Sequence, residues 1–130
     1  MNDLPGLNFQ LGEDIDALRD AVREFAQAEI APRAREIDEK SEFLRDIFQK
    51  MGLLGLMGLP FPEEYGGAGA DTISYALAVE EIAFASGSVA TNYNAHISLG
   101  AHRSIFLAAK NRNKSGWFLW PEARAWARLP

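Results

Sequence analysis

Between Thr72 and Ser86 the chain reads Thr-Ile-Ser-Tyr-Ala-Leu-Ala-Val-Glu-Glu-Ile-Ala-Phe-Ala-Ser, a run whose apolar residues leave almost no polar face. Asp71-Thr72 offers an N-cap before it, and Gly87-Ser88 interrupts it. The spacing predicts a helix from about Thr72 to Ser86. A helix that is apolar nearly all round is covered on most sides, so the other segments are expected to pack around this one.

Those segments carry helical periodicity too. From Gly12-Glu13-Asp14 acids crowd a first turn, where they favour the positive end of a helix dipole. Ile15, Leu18, Val22 and Phe25 then recur at steps of three and four, forming an amphipathic stripe. Pro32 lacks an amide hydrogen and is expected to kink or restart that helix, with continuation through Ile37. A second helix is predicted over 44–54, with Leu44, Ile47, Phe48, Met51 and Leu54 inward and Gly52 and Gly55 at its C-terminal end. Leu56 to Pro60 reads as extended, and Gly66, Gly67 and Gly69 form a turn-rich loop. A fourth helix is predicted over about 89–101, carrying Val89, Tyr93, Ala95, Ile97 and Leu99. No strand-like alternation or internal repeat intervenes, so the fold class is all-α, a small helical bundle.

Composition restricts the function classes. The 130 residues are 48% hydrophobic and 24% charged, a globular balance that can support one core. With no cysteine, disulfides and thiolate metal sites are excluded. No apolar run approaches the ~20 residues of a membrane span. The start, Met-Asn-Asp-Leu-Pro-Gly, has no basic region leading into an apolar core. A cytoplasmic location is the expectation. Residues 1–102 hold 17 of the 18 acids and 7 of the 13 bases, net −10, which leaves one acid, Glu122, and six bases in residues 103–130, net +5. Trp117, Trp120 and Trp126 all lie in that second part. Two regions are therefore expected, a helical domain over 1–102 and an atypical basic, Trp-rich tail over 103–130. The tail's bases follow no nucleic-acid-binding motif, so no nucleic acid partner is expected.

The candidate chemical groups read mostly as structural. Gly66-Gly67-Ala68-Gly69 lacks dinucleotide spacing and reads as a tight turn rather than a phosphate cradle. Glu80 and Glu81 point about 100° apart on a helix and do not converge as a pair; a buried or partly buried acid that caps or links helices is the expected role. Neither they nor Glu63-Glu64 are assigned as a general base. His96 and His102 are six apart, which misses the i, i+4 spacing of a zinc pair. Ser86, Ser88, Ser98 and Ser104 have no nucleophile-elbow context. No catalytic, cofactor-binding or metal residue is assigned.

Several motifs in order carry a family resemblance over about residues 7–102. They are Leu-Arg-Asp-Ala-Val-Arg-Glu-Phe-Ala at 18–26, Ile-Ala-Pro-Arg-Ala at 30–34 and Met-Gly-Leu-Leu-Gly at 51–55. Pro-Glu-Glu-Tyr-Gly-Gly at 62–67 and Glu-Glu-Ile-Ala at 80–83 follow. Together they resemble the N-terminal helical domain of the acyl-CoA dehydrogenases. Ser-Gly-Ser-Val at 86–89 and Tyr-Asn-Ala-His at 93–96 look similar to the isovaleryl-CoA dehydrogenase branch.

The resemblance implies FAD and an acyl-CoA substrate in the full-length enzyme, homo-oligomers, and packing beside a middle β-domain and a C-terminal helical domain. It implies that the helix like 89–101 lines the acyl-chain cavity, with Thr91, Ala95 and Leu99 toward the acyl group. Their i, i+4, i+8 spacing separately places them on one side of a helix. The family's flavin-contacting Thr/Ser-Glu-Pro-x-x-Gly-Ser-Asp motif and its later catalytic glutamate have no counterpart here, and 110–116 departs from the family's Gly-x-x-x-Gln-Lys turn. The expectation is thus a truncated or reading-frame-altered N-terminal domain, inactive alone in α,β-desaturation. The alternatives are a freestanding, non-enzymatic helical binding module and a decayed remnant without function.

Overall fold

The computed structural model describes residues 11–103 together with Ile105 and Phe106, and within them the fold is all-α. The tail expected over 103–130 lies almost wholly outside the described residues. Helix α1 spans Glu13–Phe25 and opens, as its sequence predicts, on Glu13, Asp14 and Asp16. It does not stop before Pro32. Ala26–Ile30 instead forms a π-helical turn in which the Ala31 N–H donates to the carbonyl of Ala26, five residues back. A 3₁₀ turn, Ala31–Arg33, follows, and α2 then runs Ala34–Lys40. The wide turn absorbs the misfit that a proline ring creates against the carbonyl four residues earlier, and the helix restarts at Ala34.

Helix α3, Arg45–Leu53, buries Ile47, Phe48 and Met51 and hands over at Gly55, whose φ of 77° is the left-handed conformation glycine tolerates. Leu56 to Pro60 is not extended. Leu56–Gly58 is a 3₁₀ turn, with the N–H groups of Gly58 and Leu59 bonded to the carbonyls of Gly55 and Leu56. Leu56, Met57, Leu59 and Phe61 are all buried, and a turn places four consecutive-phase side chains inward where a strand would alternate them.

Helix α4, Thr72–Ala85, starts where Asp71 accepts from the Ser74 N–H at 2.7 Å. That bond holds the Asp71 carboxyl below its usual range. Helix α5 spans Gly87–Ala95, two residues earlier than the periodicity predicts, because Ser86 is its cap, its hydroxyl accepting from the Val89 N–H. A second π-helical stretch, His96–Ala101, continues it.

Helix α4 packs against both α1 and α5. Its inward stripe is narrow: Ser74, Ala78, Glu81 and Ile82. The Glu81 carboxylate accepts two hydrogen bonds from the Arg23 guanidinium, at 2.6 and 3.0 Å, tying α4 to α1. Glu80, one position on, is exposed. Contrary to a fully central helix, α4 leaves Ile73 and Phe84 48% and 65% exposed, since among the described residues nothing covers its outer side.

Two side chains bind α5 and its extension to the 3₁₀ turn after α3. The Tyr93 hydroxyl, fully buried, donates to the Leu56 carbonyl at 2.8 Å, and His96 Nε2 lies 3.2 Å from the Met57 carbonyl. Burial pushes the Tyr93 phenol up and the His96 imidazole down.

These contacts generate two predictions. A Cβ on Gly67 would stand 2.1 Å from the Phe61 carbonyl oxygen and 2.7 Å from that of Gly58. Both are backbone atoms, so Gly67→Ala should cost at least about 2–3 kcal/mol in urea unfolding, in the range of overpacked sites or above. For His96 the folded pKa lies below the ordinary 6.5, so the unfolded chain binds more protons in the interval between them. Its stabilising contribution is complete above pH 6.5 and is lost as pH falls from there toward the lowered folded value. Urea midpoints measured stepwise between pH 7.5 and 5 should therefore decline in the wild type, and less steeply in His96→Gln, which keeps a donor without the titration.

Candidate functional site

The face of α5 turned away from the core is the candidate site. Tyr93, Ile97 and Ala101 form the buried stripe. Thr91 precedes Tyr93 by two residues, about 200° of helical rotation, so Thr91, Ala95 and Leu99 occupy the opposite side. An α-helical step of four overshoots a full turn by about 40°, and a π-helical turn, with its longer repeat, takes that drift back. The stretch His96–Ala101 therefore keeps each stripe on one side over about two turns.

Along the outer stripe Thr91 is exposed, Ala95 is half-buried and Leu99 is 73% exposed. The Thr91 hydroxyl is already used, donating to the Gly87 carbonyl at 2.9 Å. What remains there is small and apolar, with a bulky leucine at one end. Asn94 braces the helix from the side: its Oδ1 accepts from the Tyr75 hydroxyl of α4, and its carbonyl accepts from the Ser98 hydroxyl. Phe84 and Phe106 add further exposed rings on the neighbouring segments.

The other candidate groups are either held in local hydrogen bonds or exposed. In the glycine loop every amide from Gly66 to Ala70 donates to a backbone carbonyl, those of Glu63, Pro62, Gly58, Phe61 and Leu59 in turn. An anion would find no free N–H there. Glu63 and Glu64 are exposed, and Glu81 is committed to Arg23, whose guanidinium pKa it raises chiefly by hydrogen bonding. Ser86 caps α5 and contacts the Ser88 hydroxyl at 3.1 Å. Among the described residues no three His, Cys, Asp or Glu side chains converge as a metal site, and no helix is long and apolar enough to cross a membrane.

A groove of about 360 Å³ lies between the α2–α3 connection and the start of α5. Its floor is Ile37, Leu44, Phe48 and Val89, and its rim carries Asp38, Glu42, Phe43, Ser88 and Asn92. Sequence periodicity does not reveal it, because the two sides are about fifty residues apart, as in the Asp38–Ser88 hydrogen bond. The one local signal is Phe43, an aromatic residue in the charged linker Lys-Ser-Glu-Phe.

With this geometry in hand, the likenesses to known proteins fall into place. The family model of the acyl-CoA dehydrogenase N-terminal domain matches residues 12–119. A probable acyl-CoA dehydrogenase of Bacillus subtilis is 49% identical over 109 residues, 84% of this chain and 29% of that protein. A short-chain-specific acyl-CoA dehydrogenase of Clostridium acetobutylicum is 45% identical over 95 residues, 73% and 25% of the respective chains. The mitochondrial isovaleryl-CoA dehydrogenase of Pongo abelii is 42% identical over 91 residues, 68% and 22%. Among solved structures, a chain reported with the electron transferring flavoprotein of Acidaminococcus fermentans in work on flavin-based electron bifurcation superposes with a TM-score of 0.64 at 39% identity, covering 68% of this chain and 23% of that one. The chain thus spans between a fifth and a third of the length of the relatives it matches. By the matched residues and by the all-α fold that carries them, the chain belongs to the acyl-CoA dehydrogenase family, in the part that forms its N-terminal domain.

Proposed function

We propose that this chain supplies the N-terminal helical layer of an FAD-dependent acyl-CoA dehydrogenase, in which the Thr91–Ala95–Leu99 face of α5 forms one wall of the acyl-chain cavity. In this reading it positions and shields the acyl group and does not itself carry the α,β-desaturation. The observation that supports the reading most directly is the outer face of α5: a one-sided stripe with its hydroxyl internally bonded and a leucine 73% exposed at its end. On a face of that kind the one hydroxyl donor is engaged, and the apolar surface gains from being covered by about 25 cal/mol for each Å² removed from water.

FAD itself does not fit the described residues. The glycine-loop amides are all engaged, and the groove beside α5 bears Asp38 and Glu42, which would repel a pyrophosphate. The flavin therefore belongs, in this proposal, to another part of the enzyme, and the partner of the α5 face is the surface that holds it. The acyl-CoA chain would run between the two. No residue of this chain is assigned as the base that removes the α proton.

Two measurements test the proposal. Purified chain mixed with an acyl-CoA and an electron acceptor should give no turnover; flavin-dependent turnover would sink the claim that it is inactive alone. Calorimetric titration with the separately expressed flavin-binding remainder of the Bacillus subtilis relative should show association. Leu99→Asp should weaken that association by at least about tenfold, ~1.4 kcal/mol, while shifting the stability of the chain itself by no more than about 0.5 kcal/mol, as expected at an exposed position. Equal binding by the variant would remove the α5 face from the interface.

A further inference from the structure

The groove between the α2–α3 connection and the start of α5 has no part in the acyl-cavity reading. Helix α5 gives it Val89, one turn before Tyr93 on the inward stripe, and Asn92, about 200° round the helix from the Asn94 that meets Tyr75 of α4. The groove is therefore off the Thr91–Ala95–Leu99 face, on the side of α5 away from α4. Its floor is apolar, and Phe43 stands on the rim, 53% exposed. One face of that ring lies on the buried Phe48, with centroids 4.6 Å apart and planes 15° from parallel. The other face is left to solvent. Stacking fixes the orientation of the open face before any ligand arrives.

Asp38 and Glu42 share the rim with Phe43, both exposed, and neither forms an ion pair with a described residue. Nearby bases are engaged elsewhere: Arg33 with Asp46, Arg35 with Glu39, Lys40 with Glu36. Glu42 acts on Arg33 and Lys40 only as a more distant charge, and Asp38 accepts a long hydrogen bond, 3.3 Å, from the Ser88 hydroxyl. An open aromatic face beside two carboxylates, above an apolar floor, is complementary to arginine. Its guanidinium stacks on rings and donates in a fork to carboxylates, and its stem is aliphatic. The net charge of −10 over residues 1–102 adds a field that draws basic surfaces from a distance.

We propose that the groove docks an extended segment of a separate protein, one that presents arginine beside a branched aliphatic residue. The guanidinium rests on Phe43 and meets Asp38 and Glu42, and the aliphatic side chain covers the floor at Leu44 and Val89. This is independent of the α5 face.

A fluorescein-labelled peptide, Gly-Ser-Arg-Leu-Arg-Ser-Gly, is the probe, its anisotropy read as the intact chain is titrated in. Binding should saturate, and Asp38→Asn/Glu42→Gln should weaken it at least about tenfold. Phe43→Leu, which keeps apolar bulk without a ring, should weaken it about threefold. Glu63→Gln/Glu64→Gln, at exposed acids outside the groove, should leave it unchanged, as should Leu99→Asp on the α5 face. Replacing both peptide arginines by citrulline keeps their shape, removes their charge and should abolish saturation; that comparison leaves the chain untouched, so it decides even where a variant fails to fold. Absence of saturable binding, or equal binding of the citrulline peptide, would overturn the proposal. So would equal losses at Glu63/Glu64 and at the groove, which would reduce the effect to net charge. Displacement of the peptide by an equal concentration of Nα-acetylarginine amide would make the groove a small-cation site. Displacement by the separately expressed flavin-binding remainder of the Bacillus subtilis relative would place the contact within the enzyme. Either displacement overturns docking of a separate protein.

Discussion

The rotation of α5 rests on one buried phenol. Tyr93 has no exposed surface, and its hydroxyl donates at 2.8 Å to the carbonyl of Leu56, itself 2% exposed. That carbonyl also accepts from the Leu59 N–H, but the Tyr93 hydroxyl has no other partner among the described residues, and a buried hydroxyl without its acceptor costs about 1–3 kcal/mol. Any rotation of α5 that withdrew Tyr93 would break that hydrogen bond and empty a cavity the size of a ring. Everything else about the candidate face follows from that anchor. With Tyr93, Ile97 and Ala101 inward, Thr91, Ala95 and Leu99 have no direction left but outward.

The partner of this phenol, the 3₁₀ turn Leu56–Gly58, is held in turn by the glycine loop. Amides of Ala68 and Gly69 bond the carbonyls of Gly58 and Phe61, and the Gly67 Cα approaches so closely that a side chain there would meet backbone. The Pro-Glu-Glu-Tyr-Gly-Gly signature is thereby explained by geometry. Glycine is required at 67 by contact rather than by an unusual φ, and at 66 by a φ of 81°. A motif can mark a family because the backbone permits no substitute, with none of its carboxylates reacting.

Helix positions, the Asp71 cap and the linking role of Glu81 were legible because each depends on residues within a turn or two of sequence. The two π-helical turns were not. Their cause at Ala26–Ile30 is visible in Pro32, but a kink and a widened turn are alternative answers to the same steric misfit, and packing against α4 decides between them. The 3₁₀ turn at Leu56–Gly58 escaped for a related reason. Its short apolar run leading into Pro60-Phe61-Pro62 reads as extended chain, and only the surrounding core, which accepts Leu56, Met57, Leu59 and Phe61 together, selects a turn. For the candidate site, the spacing of Thr91, Ala95 and Leu99 was readable, whereas their exposure was not, since that depends on Tyr93 finding a carbonyl 37 residues away.

The run that is apolar on every side shows how function and stability divide one helix. Within the described residues α4 needs only Ser74, Ala78, Glu81 and Ile82 inward, and Glu81 is satisfied by charge rather than by burial in hydrocarbon. Ile73 and Phe84 contribute little to this core and stand open to solvent. An isolated domain would reduce its association by placing polar residues there. Their apolar character is economical only if another surface covers them, and Leu99 and Phe106 on the next helical stretch have the same requirement. The pattern that most constrains the fold is thus wider than the fold needs. In the proposed function, that excess is the surface the rest of an acyl-CoA dehydrogenase would cover.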